Sequence, residues 1–233
     1  MNTVLITGAN RGLGLSLRQS FEAAGWFVFA TARTITSVAE SATVTPLALD
    51  LTSSESIREL AAAVQSSGRT VNLLINNAGN NPKDSKDRDF FLSTFRIEHF
   101  SGENVSKSLQ INALAPTELT SRLLPALAED AVVLNVSSWL GSIGAKTSGG
   151  HYGYAGSKAL LNMFTRAMAL EFAEGSRAAV AFNPGWMKTD MGGEKAKFTP
   201  EEVSDSILRL YDAGEFHRNN GAFLNTDGST HPW

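Results

Sequence analysis

Short apolar runs alternate with amphipathic stretches along the whole chain. Val4–Thr7, Phe27–Thr31, Thr45–Leu49, Val71–Ile75, Ala131–Val136, Ala178–Phe182 and Ala222–Leu224 read as strands, apolar enough in succession to be buried on both faces. Pro46 removes a ladder donor from the third of them and demotes it to a sheet edge. Between the first two runs, Leu13, Leu17 and Phe21 recur at helical spacing, and Gly25 stops the helix. Thr52 and Glu55 have the spacing of a capping box ahead of Ile57, Leu60, Ala61 and Val64, which predicts a second helix ending near Gly68. Further helical stretches cover Gly102–Leu127, Ala155–Ala173 and Thr199–Ala213, the last opened by Thr199, Pro200 and Glu202 as N-cap, first-turn proline and box acid. Strands alternating with helices predict an α/β chain: a doubly wound single domain over residues 1–233, its sheet parallel and about seven-stranded, with helices on both faces. Asn80–Glu98 breaks the pattern. It is polar and turn-rich and reads as a surface loop, with Phe90, Phe91 and Phe95 anchoring it in the core or covering a ligand pocket.

Composition narrows the function classes. Of 233 residues, 42% are hydrophobic and 18% charged, as in an ordinary globular protein, and the net charge of −3 attracts neither nucleic acid nor an anionic membrane. There is no cysteine, and the four histidines are scattered in sequence, so no metal site is expected. The start Met1-Asn2-Thr3-Val4 lacks a basic, then apolar, leader, and no apolar run approaches the ~18 residues of a membrane span. The expectation is a cytoplasmic protein.

Thr7-Gly8-Ala9-Asn10-Arg11-Gly12-Leu13-Gly14 joins the first strand to the first helix. Glycines at such a junction let backbone approach a pyrophosphate at a helix N-terminus, so Gly8, Asn10, Arg11, Gly12, Leu13 and Gly14 are candidate contacts of a dinucleotide in a Rossmann fold. An acid after the second strand selects a free ribose 2′-hydroxyl, whereas an arginine accommodates a 2′-phosphate. Here the strand runs into Thr31-Ala32-Arg33, and no acid appears until Glu40. Arg33, with Arg11 as a second cation, favours NADP(H) over NAD(H). Asp50 and Leu51 are placed to meet the adenine, or Asp50 serves the turn that follows it.

Tyr154 and Lys158 in Tyr-Ala-Gly-Ser-Lys share one helix face. An ammonium ~4 Å from a phenol, at an effective dielectric of ~20, favours the phenolate by about 4 kcal/mol, which readies the phenol for proton transfer near neutral pH. Tyr152 has Gly156 at the same spacing and gains no such help.

With Thr7-Gly8-x-x-x-Gly12-x-Gly14, Asn76-Asn77-Ala78-Gly79, Asn112, Asn135-Val136-Ser137-Ser138, Tyr154-x-x-x-Lys158 and Asn183-Pro184-Gly185 in this order, the chain resembles the short-chain dehydrogenase/reductase family over essentially its whole length. Pro184–Met191 and the ending Asp227–Trp233 are similar to its C-factor-like, carbonyl-reductase-like subgroup. The resemblance implies a catalytic set of Asn112, Ser138, Tyr154 and Lys158: Tyr154 the general acid or base, Ser138 the partner of the substrate oxygen, Lys158 a holder of the nicotinamide ribose, Asn112 the anchor of a water. It implies that Asn77, Ala78 and Gly79 line the cofactor ribose and that Pro184, Gly185, Met187 and Thr189 close over the nicotinamide, while Asn76 braces a strand. The interval from Ser138 to Tyr154 is longer than the family's common one, which leaves Ser137 and Ser142 as alternatives for the serine.

Loops at the C-terminal strand ends carry Trp139, Ile143, Tyr152, Trp186, Met187 and Met191, a lining suited to an apolar or aromatic carbonyl. The expected activity is reversible reduction of a small-molecule aldehyde or ketone to an alcohol, and the competing reading is a dinucleotide-binding signalling or sensor protein with little turnover. More apolar positions on the 155–173 helix than one core stripe needs point to a homodimer or homotetramer through it and the 102–127 segment.

Overall fold

A computed structural model describes residues 1–233, apart from the side chain of Asp84. Strands β1 (Thr3–Ile6), β2 (Phe27–Ala32), β3 (Val44–Ala48), β4 (Val71–Asn76), β5 (Leu127–Val136), β6 (Ala178–Asn183) and β7 (Phe223–Asn225) form one sheet in the order β3-β2-β1-β4-β5-β6-β7. Every pairing is parallel. Pro46 sits on the β3 edge, opposite Ala30, as its missing donor requires. Strand order reverses at β1, between β2 and β4, and in such sheets the crevice beyond the strand ends at that point takes the ligand.

The strands' period of two distributes the core. Val4 and Ile6 face helices α1 (Gly12–Ala23), α7 (Pro200–Asp212) and the short α8 (Glu215–Arg218), through Leu13, Leu17, Phe21, Val203, Ile207, Leu210 and Phe216. Leu5 faces the other way, with Phe27, Phe29 and Leu74, onto α2 (Ser54–Ser66) and α5 (Ala115–Leu123). The long α6 (Tyr152–Phe172) packs on that second side against β6 and α4 (Gly102–Leu109).

Three expectations about elements change. The cap of α2 is Ser53, whose Oγ accepts from the Ser56 amide at 3.2 Å, because the Thr52 hydroxyl instead donates to Asp50 at 2.7 Å. Asn80–Glu98 is not merely loop: it holds a turn of 3-10 helix at Pro82–Asp84 and α3 (Arg88–Phe95), capped by the Asp87 carboxylate, which accepts from the amides of Asp89 and Phe90. Gly102–Leu127 is not one helix. After α4 it widens into a π turn at Gln110–Leu114, resumes as α5, and Leu127 already belongs to β5. Pro116 has no amide to offer the carbonyl of Asn112 four residues earlier, and the ladder opens there.

Candidate active site

A cleft of about 1540 Å³ lies beyond the strand ends at the reversal point. That exceeds the volume of about 300–1,000 Å³ usual for a small-ligand pocket, so it has room for a dinucleotide and a second molecule. Gly8, Asn10, Arg11, Gly12, Leu13, Gly14, Arg33, Asp50, Leu51, Asn77, Ala78, Gly79, Tyr154, Lys158, Pro184, Met187, Thr189 and Met191, all anticipated, line it.

The glycine loop is built to approach an anion. Gly14 admits no side chain, since a Cβ there would lie 2.0 Å from the Gly8 carbonyl oxygen, and Gly8 itself takes φ +69°. Arg11 at the N-cap of α1 makes no side-chain cap, and the first turn holds no acid, so the leading amides of this helix are left for a bound group. Side chains beneath fix the loop. Thr7 Oγ1 accepts from the amides of Asn77 and Ala78, both at 2.9 Å, and Asn77 Nδ2 donates to the Thr7 carbonyl at 2.8 Å. The Asn77 amide is thus engaged in bracing the loop, although its residue borders the cleft. Asn76, which points the other way, donates to Asn135 at 2.8 Å and to Thr120, a strand brace as expected.

At the β2 end of the cleft the wall is Thr31, Ala32 and Arg33 with Asp50 and Leu51. Arg33 is exposed. Asp50 accepts from the Thr52 amide at 2.9 Å as well as its hydroxyl; those two bonds, and then the Arg33 charge, hold its carboxyl below the usual range. Asp50 therefore serves the turn, one of the two roles open to it. Arg11 meets Asp190 on the opposite wall at 3.3 Å, an exposed pair of little energetic weight that spans the cleft mouth.

The inner end is organised by α6. Lys158 is only 4% exposed, and its ammonium donates to the Val136 carbonyl at 2.8 Å and lies 5.8 Å from the centre of the Tyr154 ring. Burial lowers its pKa from 10.5 to about 8. Gly79 borders the same space, where an added Cβ would sit 3.0 Å from Asn112 Oδ1 and 3.6 Å from Lys158 Nζ. Asn112 is buried on the π turn, its Oδ1 accepting from the Asn80 amide and its Nδ2 donating to the Asn80 carbonyl, each at 2.8 Å, and to Ser157 at 2.9 Å. It locks the β4 loop to α6 from behind the cleft rather than lining it.

Among the three candidate serines, Ser137 donates to Asn162 Oδ1 at 2.6 Å, and Ser142 donates to a Trp233 backbone oxygen at 3.1 Å while accepting from the Ala145 amide. Ser138 Oγ accepts from the Leu140 amide at 3.2 Å, which leaves its O–H to donate elsewhere; Ser138 itself falls outside the cleft's lining, which its neighbour Ser137 borders. The turn it opens presses on α6 at Gly141, where a Cβ would meet the Lys158 backbone at 2.8 Å. Asn162 fixes that contact by also donating to the Gly141 carbonyl at 3.3 Å.

The expected substrate lining divides. Met191 borders the cleft, but Trp139, Ile143, Tyr152 and Trp186 lie outside its lining and are exposed, Ile143 at 78%. Their loops emerge at the strand ends but turn these side chains outward; the Trp186 indole, for example, donates to the Gly192 carbonyl at 2.7 Å. Gly185 also falls outside the lining, beside Pro184. The lining also includes Asn80, Asn81, Pro82, Lys83, Ser85 and Phe90, from the segment that broke the strand and helix pattern. Phe90 was one of three phenylalanines given as core anchors or pocket covers; the bracing roles of Asn162 and Thr7 and the other wall residues were missed, although Asn162 and Thr165 stand as polar residues on the buried face of α6.

The described residues contain no helix long and apolar enough to cross a membrane and no group of metal-binding side chains. A family model described as short chain dehydrogenase matches residues 2–199. C-signal of Myxococcus xanthus is 37% identical over 132 residues, which cover 56% of this chain and 79% of that one. Among solved structures, the carbonyl reductase Sniffer of D. melanogaster superposes with a TM-score of 0.86 at 30% identity, covering 100% of both chains. The NADPH-bound carbonyl reductase from chicken fatty liver gives 0.85 at 30% identity, covering 100% of this chain and 99% of that one.

Proposed function

The chain belongs to the short-chain dehydrogenase family, and we propose that it is an NADPH-dependent reductase of an aldehyde or ketone, with an apolar or aromatic body, acting reversibly on the alcohol. The observation that carries this reading is the buried Lys158 ammonium beside Tyr154 at the inner end of a dinucleotide-sized cleft. A module that only bound a nucleotide would have no use for a desolvated cation next to a phenol. NADPH, when bound, supplies the hydride.

The chain's residues do the rest. Gly8, Gly12 and Gly14 with the leading amides of α1 would hold the pyrophosphate, and Arg33, aided by Arg11, the 2′-phosphate. Tyr154 would donate its proton to the carbonyl oxygen as charge develops there, and Ser138 would hydrogen-bond the same oxygen. Lys158 would stabilise the phenolate left behind and bind the nicotinamide ribose, with Asn112 keeping the β4 loop in register beneath it. The NADPH bound to the carbonyl reductase from chicken fatty liver and the absence of an acid at the β2 terminus both support the phosphorylated cofactor.

Purified protein with NADPH and a panel of aldehydes and ketones, followed at the NADPH absorbance, tests the proposal. Turnover of at least one carbonyl is expected, together with its loss in Tyr154→Phe while NADPH still binds, because only the proton donor is removed. Tyr152→Phe, whose ring stands edge-on to Phe100 outside the cleft, should keep most activity. Equal losses in both variants would sink the assignment. The likeness to C-signal favours a second reading, a dinucleotide-binding signalling protein with little turnover. Tight NADPH binding with no carbonyl reduced across the panel would select it.

A further inference from the structure

One side chain ties together the loops on either side of the reacting centre. Asn183 ends β6 and is 8% exposed. Its Oδ1 accepts from the backbone amide of Trp139 at 3.1 Å and from that of Gly185 at 3.2 Å. The first amide belongs to the residue after Ser138, the second to the segment that forms the far wall of the cleft. Its Nδ2 donates to Asn225 Oδ1 on β7 at 2.9 Å, and that oxygen also faces His231 Nδ1 at 3.1 Å. An amide oxygen can only accept, so His231 carries its proton on Nδ1, and Nε2 is a bare acceptor, buried and without a partner among the described residues. Burial holds the His231 pKa below the ordinary value, which keeps the ring in this neutral form.

The same terminal segment grips the serine loop a second time. His231 stands edge-on to Phe223 at 4.9 Å, and Trp233 stacks on that ring at 5.5 Å. A Trp233 oxygen then accepts from the Gly144 amide at 2.7 Å and from the Ser142 hydroxyl at 3.1 Å. The loop is therefore held at its start by Asn183, which Asn225 backs, and further along at Ser142 and Gly144 by Trp233.

We propose that Asn183, backed by Asn225 and His231, is a positioning residue that sets where Ser138 presents its hydroxyl to the substrate oxygen. This rests on the role given to Ser138 above. Nothing about Asn183 is chemical: it acts through backbone amides, and its effect must vanish when there is no serine hydroxyl to place.

A double-mutant cycle on kcat separates that from a general structural role. Asn183→Ala is expected to lower kcat about 10- to 100-fold, the cost of a small misplacement of a reacting partner. In a Ser138→Ala background the same change is expected to cost less than about 3-fold, because the two residues act as one unit. The same fractional loss in both backgrounds, or an unchanged kcat in Asn183→Ala, overturns the proposal. If Asn183→Ala does not fold, Asn225→Ala removes the rear acceptor and runs the same cycle, with the same two outcomes. NADPH binding by fluorescence and a melting curve accompany each variant. A parent that binds NADPH but reduces no carbonyl overturns the catalytic reading itself, and a Ser138→Ala with parental turnover overturns the role of the serine and this proposal with it.

Discussion

Lys158→Met exchanges a buried ammonium for a side chain of similar length, and its effects on stability and on turnover are expected to run in opposite directions. Burial pulls the Lys158 pKa from 10.5 to about 8, so the folded protein binds this proton less tightly than the unfolded chain does. Above 10.5 the lysine is neutral in both states and costs nothing. As pH falls towards 8 the unfolded chain takes up the proton first, and below 8 the full penalty is present, about 3 kcal/mol at ~1.36 kcal/mol per unit. Removing the ammonium also takes the donor from the Val136 carbonyl, which offsets about 1 kcal/mol of that gain. The variant is therefore expected to be more stable than the parent by about 2 kcal/mol at neutral pH, or ~4–8 °C in melting temperature for a chain of this size. The advantage shrinks as pH rises from 8 to 10.5 and reverses beyond it, where only the lost hydrogen bond remains. Turnover should fall meanwhile: a charge 5.8 Å from the Tyr154 ring attracts a phenolate by about 3 kcal/mol at an effective dielectric of ~20, which is roughly 100-fold in rate. Melting curves of parent and variant at pH 6.5 and 10, taken as a difference so that other groups cancel, give the test, with turnover measured at pH 7 on the same preparations. A variant that melts below the parent at pH 6.5, or a difference that does not change with pH, refutes the assignment of a desolvated cation at this position.

The cofactor end and the outer surface give further tests. Arg33→Ala should remove most of the preference for NADPH over NADH, worth about 1.5–3 kcal/mol for charge-assisted bonds to the 2′-phosphate, and an unchanged ratio of the two dissociation constants by calorimetry would exclude Arg33 from that contact. Gly14→Ala places a Cβ 2.0 Å from the Gly8 carbonyl and should weaken NADPH binding more than about 10-fold, with the loop rather than the fold giving way; retained affinity would show that the loop tolerates the displacement. Leu114, Met163 and Leu170 are exposed on the π turn and α6, so light scattering at micromolar concentration should report a mass above the 24.9 kDa of one chain, and 24.9 kDa at every concentration would rule out the stable oligomer.

The parts of the fold that were legible are those whose residues answer to one local rule. Strands buried on both faces read as unbroken apolar runs, and all seven appeared within a few residues of their place; the Thr199–Glu202 box formed as its spacing required. Illegible parts had two rules in competition. Thr52 and Ser53 both offer a cap, and Asp50 decided between them by engaging the Thr52 hydroxyl. The eight residues of α3 are too few to show a period amid polar flanks, although Asp87 announces their start. Pro116 was visible in the 102–127 segment, but only the tertiary demand for a buried Asn112 facing Asn80 explains why the chain tolerates a π turn there.

The candidate site divides along the same line. Glycines, Tyr154 and Lys158 were readable because their roles follow from backbone freedom or from spacing on one helix. The substrate wall was not, because position at a strand end says which loop a residue occupies but not which way its side chain turns. Trp139 and Trp186 lie outside the cleft for that reason, and Lys83 borders it from a segment that read as a polar surface loop, together with Phe90, for which covering a pocket was one of two readings. Specificity in this protein is accordingly expected to reside in residues 80–90 rather than in the exposed tryptophans. Phe90→Ala should change the relative kcat/KM of a bulky and a small aldehyde by about 10-fold, the worth of roughly one or two methylenes in an apolar pocket, while Trp186→Ala leaves that ratio alone. The reverse pattern would return the substrate wall to the loop after β6.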